Sequence, residues 1–202
     1  MSIIVPAARI ERWLANFAEW HGPTALAVSS GALKGTAEDG SDFAAVLPFD
    51  VAYDGGPAAV DFAAAVGEAV PDDWGVLLVR KGGFAVARLS GTTVGESKVG
   101  QRHVQGRTKA GGQSQQRFAR RRDNQARQAY EAAAEHAARI LGRHHPVVTG
   151  GDRGAVEEVL ADARLTGLTV VEPWLAVPDP RRGILEQAVR DACSARIDVR
   201  NA

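Results

Sequence analysis

A single cysteine, Cys193, in 202 residues leaves no partner for an internal disulfide and too few thiolates for a cysteine-based zinc site. No apolar run approaches the ~20 residues that cross a bilayer. The opening residues, Met1-Ser2-Ile3-Ile4-Val5-Pro6, lack the basic stretch and apolar core of a secretory leader. The expected location is therefore the cytoplasm, without membrane contact. No G-x-x-x-x-G-K-[ST] pattern follows Gly82-Gly83, so that pair reads as a turn rather than a phosphate loop. His144-His145 are adjacent, point apart and have no Asp, Glu or Cys partner pattern; a helix-end role is expected for them, and neither metal nor cofactor. His103 reads as a strand-surface residue. The four tryptophans, Trp13, Trp20, Trp74 and Trp174, lie outside the most basic segment and are expected in the core, as is Cys193.

What is present is ordinary in bulk and uneven in detail. The 45% hydrophobic content suits one substantial domain or two small ones. The net charge is zero, but the average conceals an asymmetry. From Lys98 to Arg127 there are nine Lys or Arg and one acid, Asp123, a local balance of +8; the rest carries 15 basic and 23 acidic residues, or −8. Charge needed only for solubility would be spread out. Charge gathered in one segment predicts a face for a polyanion.

Inside that segment stands Lys109-Ala110-Gly111-Gly112-Gln113-Ser114. Two glycines without Cβ atoms let the backbone reach positive φ and come close to another molecule. The residue beside them, Gln113, is a neutral amide, with donors and an acceptor but no titration near pH 7. It can orient water or a leaving oxygen, but it is no strong base. Ser114 is placed to cap the helix that follows.

The coarse reading is of mixed strands and helices. Helical spacing covers 7–20, stopped by Gly22-Pro23, and strands are expected over 24–29 and 42–49, with a polar loop or hairpin tip over 31–41. An Ala-rich helix runs from Pro57 to about residue 70. Residues 74–80 and 84–90 form the clearest hairpin, and a strand over 97–104 leads to the glycines. A long helix over 115–141 places Phe118, Arg122, Ala126, Ala129, Ala133, Ala137 and Ile140 on one face, where small alanines allow close packing on a sheet. Arg117, Arg121, Asn124 and Gln128 fall on another. Gly142 is a plausible stop. A short strand at 146–150, a helix over 153–165, a strand at 168–171 and a closing helix from 181 to about 196 complete the chain. This order suggests one α/β domain with a helix-covered sheet over 1–202. In it, 71–202 form the core, and 1–70 are either its N-terminal part or a small α+β addition.

Gly111-Gly112-Gln113-Ser114-x-x-Arg117-Phe118-Ala119-Arg120-x-Arg122 resembles the catalytic loop and following helix of the middle domain of eukaryotic and archaeal class-1 release factors. The run Lys98 to Lys109 is similar to the strand leading into that loop in Vms-like release factors, which act in ribosome rescue; a single-domain actinobacterial branch is classed as a peptidyl-tRNA hydrolase. The close match covers roughly 77–141. The resemblance implies an α/β fold of ribonuclease-H-like type, a mixed sheet with flanking helices. It implies Gln113 as the residue that positions water at the peptidyl-tRNA ester, with Gly111 and Gly112 needed for conformation. Lys98, Arg102, Arg107, Lys109, Arg117, Arg120, Arg121 and Arg122 would then contact RNA, Arg122 in part structurally. The partners implied are the large ribosomal subunit, its RNA and the acceptor end of peptidyl-tRNA. No Asn-Ile-Lys-Ser decoding motif occurs, and about 200 residues cannot hold three domains, so release is expected to be independent of the codon. Two other readings stay open: a nuclease of the same family that cuts the tRNA acceptor end, and a non-catalytic ribosome- or tRNA-binding module. Oligomeric state is not indicated.

Overall fold

The computed structural model describes the backbone of residues 1–101, 113–142 and 146–202, and the side chains of these except 101 and 113–125. In chain order the elements are β1 (Ser2–Val5), α1 (Ile10–His21), β2 (Thr24–Ser29), β3 (Ala32–Ala37), β4 (Asp42–Val46), α2 (Ala59–Glu68), β5 (Trp74–Arg80), β6 (Gly83–Ser90), β7 (Thr93–Gln101), α3 (Gln113–Leu141), β8 (Pro146–Gly151), α4 (Arg153–Leu160), β9 (Thr169–Leu175), α5 (Arg182–Ala192) and β10 (Ala195–Arg200). They form two sheets, where the sequence left open one helix-covered sheet or a small α+β addition over 1–70. The chain divides into two compact units, the first made of 1–72 with 189–202 and the second of 73–188. Their charges differ in sign. The first holds 6 Lys or Arg against 12 Asp or Glu, and the second holds 18 against 12.

The first unit is an antiparallel sheet of order β1-β10-β4-β3-β2. Its core joins Ile10, Leu14 and Phe17 of α1 and Phe62 and Val66 of α2 to Leu33, Phe43, Ala45 and Ile197 of the sheet. Phe43 is its centre. The ring meets Phe17 and Trp13 edge-on, with centroids 5.1 Å away in both cases. It also lies across Gly35, its cross-strand partner, so that a Cβ there would run into the Phe43 ring. Gly35→Ala is therefore expected to destabilise the first unit by about 1–3 kcal/mol, the usual cost of overpacking a filled core. A lower urea midpoint at unchanged slope would register it, and an unchanged midpoint would mean that the ring yields freely.

Several boundaries depart from the sequence reading. Ala32–Ala37, expected in a loop, is β3: the glycines at 31, 35 and 40 look like breakers, but Gly35 makes room for Phe43. The closing helix ends at Ala192, where Ser194 Oγ donates to Arg190 O at 2.7 Å, and β10 follows. The helix expected over 153–165 stops at Leu160, because the Asp162 carboxylate accepts from Arg164 N at 2.9 Å and starts a separate short turn. Trp20, expected in the core, is 80% exposed on α1, whereas Trp74 is fully buried, its Nε1 donating to Gly91 O at 2.7 Å.

The second unit has strand order β7-β6-β5-β8-β9. β5 and β7 are antiparallel to β6, and β8 and β9 run parallel to β5. The core lies between this sheet and α3, with α4 against both. Ala129, Ala133, Ala137 and Ile140 of α3 are buried on it, as their spacing predicted, and Gln128 is exposed. Gly142 ends the helix with φ 66°.

Candidate functional site

The candidate site hangs on two stems, β7 and α3. Among the described residues β7 is an edge strand, paired only with β6. Lys98 is exposed on it, opposite Val86. α3 is 29 residues long, about 43 Å at 1.5 Å per residue. It begins at Gln113, two residues before the start at 115 read from sequence, and so takes in Ser114, the cap expected there. Helix ends shift by such amounts according to how the last turn is closed. Arg117, Arg120, Arg121 and Arg122 lie on the first three turns of α3, and their side chains fall outside the described residues. Arg102, Arg107, Lys109, Gly111, Gly112, His103, His144 and His145 also lie outside them.

The side chains that seat the stems were not singled out from sequence. The Phe84 ring of β6 lies across Gly100 of β7, its cross-strand partner, and a Cβ at Gly100 would run into it. The same ring stacks on His136 of α3 with centroids 5.6 Å apart. One aromatic plate thus touches both stems, at the end of β7 just before Gln101. Arg139 of α3 pairs with Glu96 of β7, and Arg182 of α5 donates to Ser97 Oγ at 3.1 Å. Both carboxylate and guanidinium of the first pair are about half exposed, so the pair adds little to stability. Its effect is to hold the edge strand against the helix. A Gly opposite a Phe in the hairpin register was the available signal.

The later half of α3 packs on the sheet. Among the described residues, Ala126 is the first that packs on the core, and about 20 Å of helix separates it from Gln113. The described contacts of α3 with the core thus lie toward its C-terminal end, and the arginines and Gln113 lie toward its N-terminal end.

No group of three or more His, Cys, Asp or Glu suited to a metal ion occurs among the described residues. Burial pushes the Cys193 thiol up to about 11, which leaves it protonated and unreactive near neutral pH. Arg153 lies 4.3 Å above the Trp174 ring, a cation–π contact that ties α4 to β9 rather than a free binding group. No described helix is long and apolar enough to cross a membrane.

The family model described as Actinobacteria/chloroflexi VLRF1 release factor (acVLRF1) matches residues 72–198, more than half of the chain. No curated protein matches it.

Proposed function

This chain belongs to the Actinobacteria/chloroflexi VLRF1 release factor family, and from that premise we propose that it is a codon-independent peptidyl-tRNA hydrolase that frees nascent chains from stalled ribosomes or split large subunits. The observation that carries the reading is the build of α3. α3 is a 29-residue helix that packs on the sheet at Ala126 and beyond; it has Gln113 as its first residue, next in sequence to Gly111-Gly112, and four arginines between Gln113 and Ala126. Such a rod can reach into a narrow, RNA-walled cavity that a compact body cannot enter. The arginines would meet phosphates and fix depth and register, without reading sequence. Arg102, Arg107, Lys109 and Lys98 would extend that contact. The partners are the large subunit, its RNA and the tRNA acceptor end, and the setting is the cytoplasm.

The chemistry asked of Gln113 is modest. Water attacks the carbonyl of the ester that joins peptide to the tRNA 3′ oxygen; the ester C–O bond breaks, leaving a peptide carboxylate and a tRNA hydroxyl. The Gln113 amide would orient the water and donate to the developing oxyanion or leaving oxygen. Ribosome and tRNA supply the rest of the environment, so no carboxylate dyad is required of this chain. The strand order of the second unit, counted from β5, is 3-2-1-4-5 with only β6 reversed, which supports a ribonuclease-H-like reading of the fold.

The decisive assay incubates the protein with large subunits carrying labelled peptidyl-tRNA and analyses both products. Free peptide with a complete tRNA 3′ end is the expected result. Peptide released with a shortened tRNA would make the protein a nuclease. Co-sedimentation without release would leave a binding module.

A further inference from the structure

Among the described residues the two sheets end in four edge strands, β1 and β2 in the first unit and β7 and β9 in the second. An open edge is a row of unpaired N–H and C=O groups, and proteins shield it by brevity, charge, proline or a bulge. β1 is four residues long and runs into Pro6. β7 carries Glu96 and Lys98 and shifts register between Ala87 and Leu89 of its partner. β9 carries Glu172 and Pro173 and shifts register against Val148 and Gly150. β2 has Pro23 just before it but none of these devices within its length. Its six residues, Thr24-Ala25-Leu26-Ala27-Val28-Ser29, include no charge, proline or glycine, and pair with β3 without a shift.

The turn tells which groups face outward. Ser30 and Gly31, with φ 55° and 71°, form a two-residue hairpin turn between the paired Ser29 and Ala32. The pair flanking such a turn exchanges both hydrogen bonds, so by alternation Ser29, Ala27 and Ala25 spend theirs on β3. The N–H and C=O groups of Thr24, Leu26 and Val28 face the free side. Among the described residues, no backbone bond outside the sheet reaches them. Leu26 and Val28 lie half-buried against the first unit's core, while Ala25, Ala27 and Ser29 are exposed on the opposite face.

We propose that β2 pairs antiparallel with β2 of a second copy of this chain, about a two-fold axis at Leu26. The register is self-complementary. Leu26 faces its own copy and Thr24 faces Val28, and the three pairs would exchange about six hydrogen bonds. No charge on either strand opposes a like charge. Leu26 and Val28 of the two copies continue one helix-covered core, and on the other face Ala25 meets Ala27. Pairing of one short strand lies at the small end of specific interfaces, so a reversible dimer on the order of tens of micromolar is expected. The excess of acid in the first unit works against it, and added salt should tighten it.

The test is sedimentation velocity of the full chain from about 1 to 300 µM, with amide exchange measured at both ends of that range. The expected result is a dimer at high concentration, with exchange slowed at Leu26 and Val28 only there. Leu26→Pro removes an N–H that β3 does not use, which edge strands tolerate, and its ring blocks an incoming strand; folded by circular dichroism, it should stay monomeric. A wild-type monomer throughout, a dimer whose protection falls elsewhere, or a folded Leu26→Pro chain that still dimerises would each overturn the proposal.

Discussion

Gln113→Ala is expected to slow peptide release about 10²–10³-fold, equivalent to about 2.7–4 kcal/mol of barrier, the usual cost of removing one preorganised donor. Co-sedimentation with large subunits should be unchanged, because the amide carries no charge and phosphate binding is left to the arginines. The split matters more than the size. A donor used only in the transition state lowers the maximal rate without weakening ground-state binding. Release at the wild-type rate would remove Gln113 from the mechanism and leave the chemistry to another group. Loss of binding together with release would place Gln113 among the groups that seat the helix.

The complementary experiment reverses charge behind it. Arg120→Glu with Arg121→Glu turns two positive charges on the early turns of α3 into two negative ones. Affinity for large subunits is expected to fall on the order of 10²-fold at moderate salt. The salt dependence should also flatten, by roughly 0.7–0.9 in the log–log slope for each phosphate that is no longer neutralised. Release under saturating protein should recover in part, since the chemistry is untouched. Equal affinity and slope would mean that these arginines do not face RNA. Together the two variants separate reach from chemistry, which a single loss-of-function variant cannot do.

Much of the second unit can be read from local pattern. The hairpin at 74–80 and 84–90 announces itself by two apolar runs around Lys81-Gly82-Gly83, and the alanine face of α3 by its spacing; both meet partners close in sequence or on a single face. The first unit is harder. β3 hides behind Gly35, whose bareness serves the Phe43 ring on the next strand, so a residue that looks like a breaker is a packing residue. β10 alternates Ala195, Ile197 and Val199 with Arg196, Asp198 and Arg200, a legible two-residue period, but it follows so closely on α5 that the helical spacing reads straight into it. β1 has four residues, too few for any period to show, and its partner is at the other end of the chain. The motif at Gly111-Gly112-Gln113 is plain in sequence because its residues are contiguous. The Phe84 contact with Gly100 and His136 is not, because it joins three elements whose register only the folded sheet supplies.

The place of β10 has a consequence for how the molecule is made. It sits between β1 and β4, yet it is the last strand to be synthesised. Domains usually fold as they emerge, the N-terminal one first. Here the N-terminal sheet must wait with a gap between its first strand and the rest, exposing the paired-strand positions of Ser2–Val5 and Asp42–Val46, until β10 arrives. The second unit, complete by residue 188, can close earlier although it begins later. The unit whose first strand is synthesised earliest is thus the one completed last.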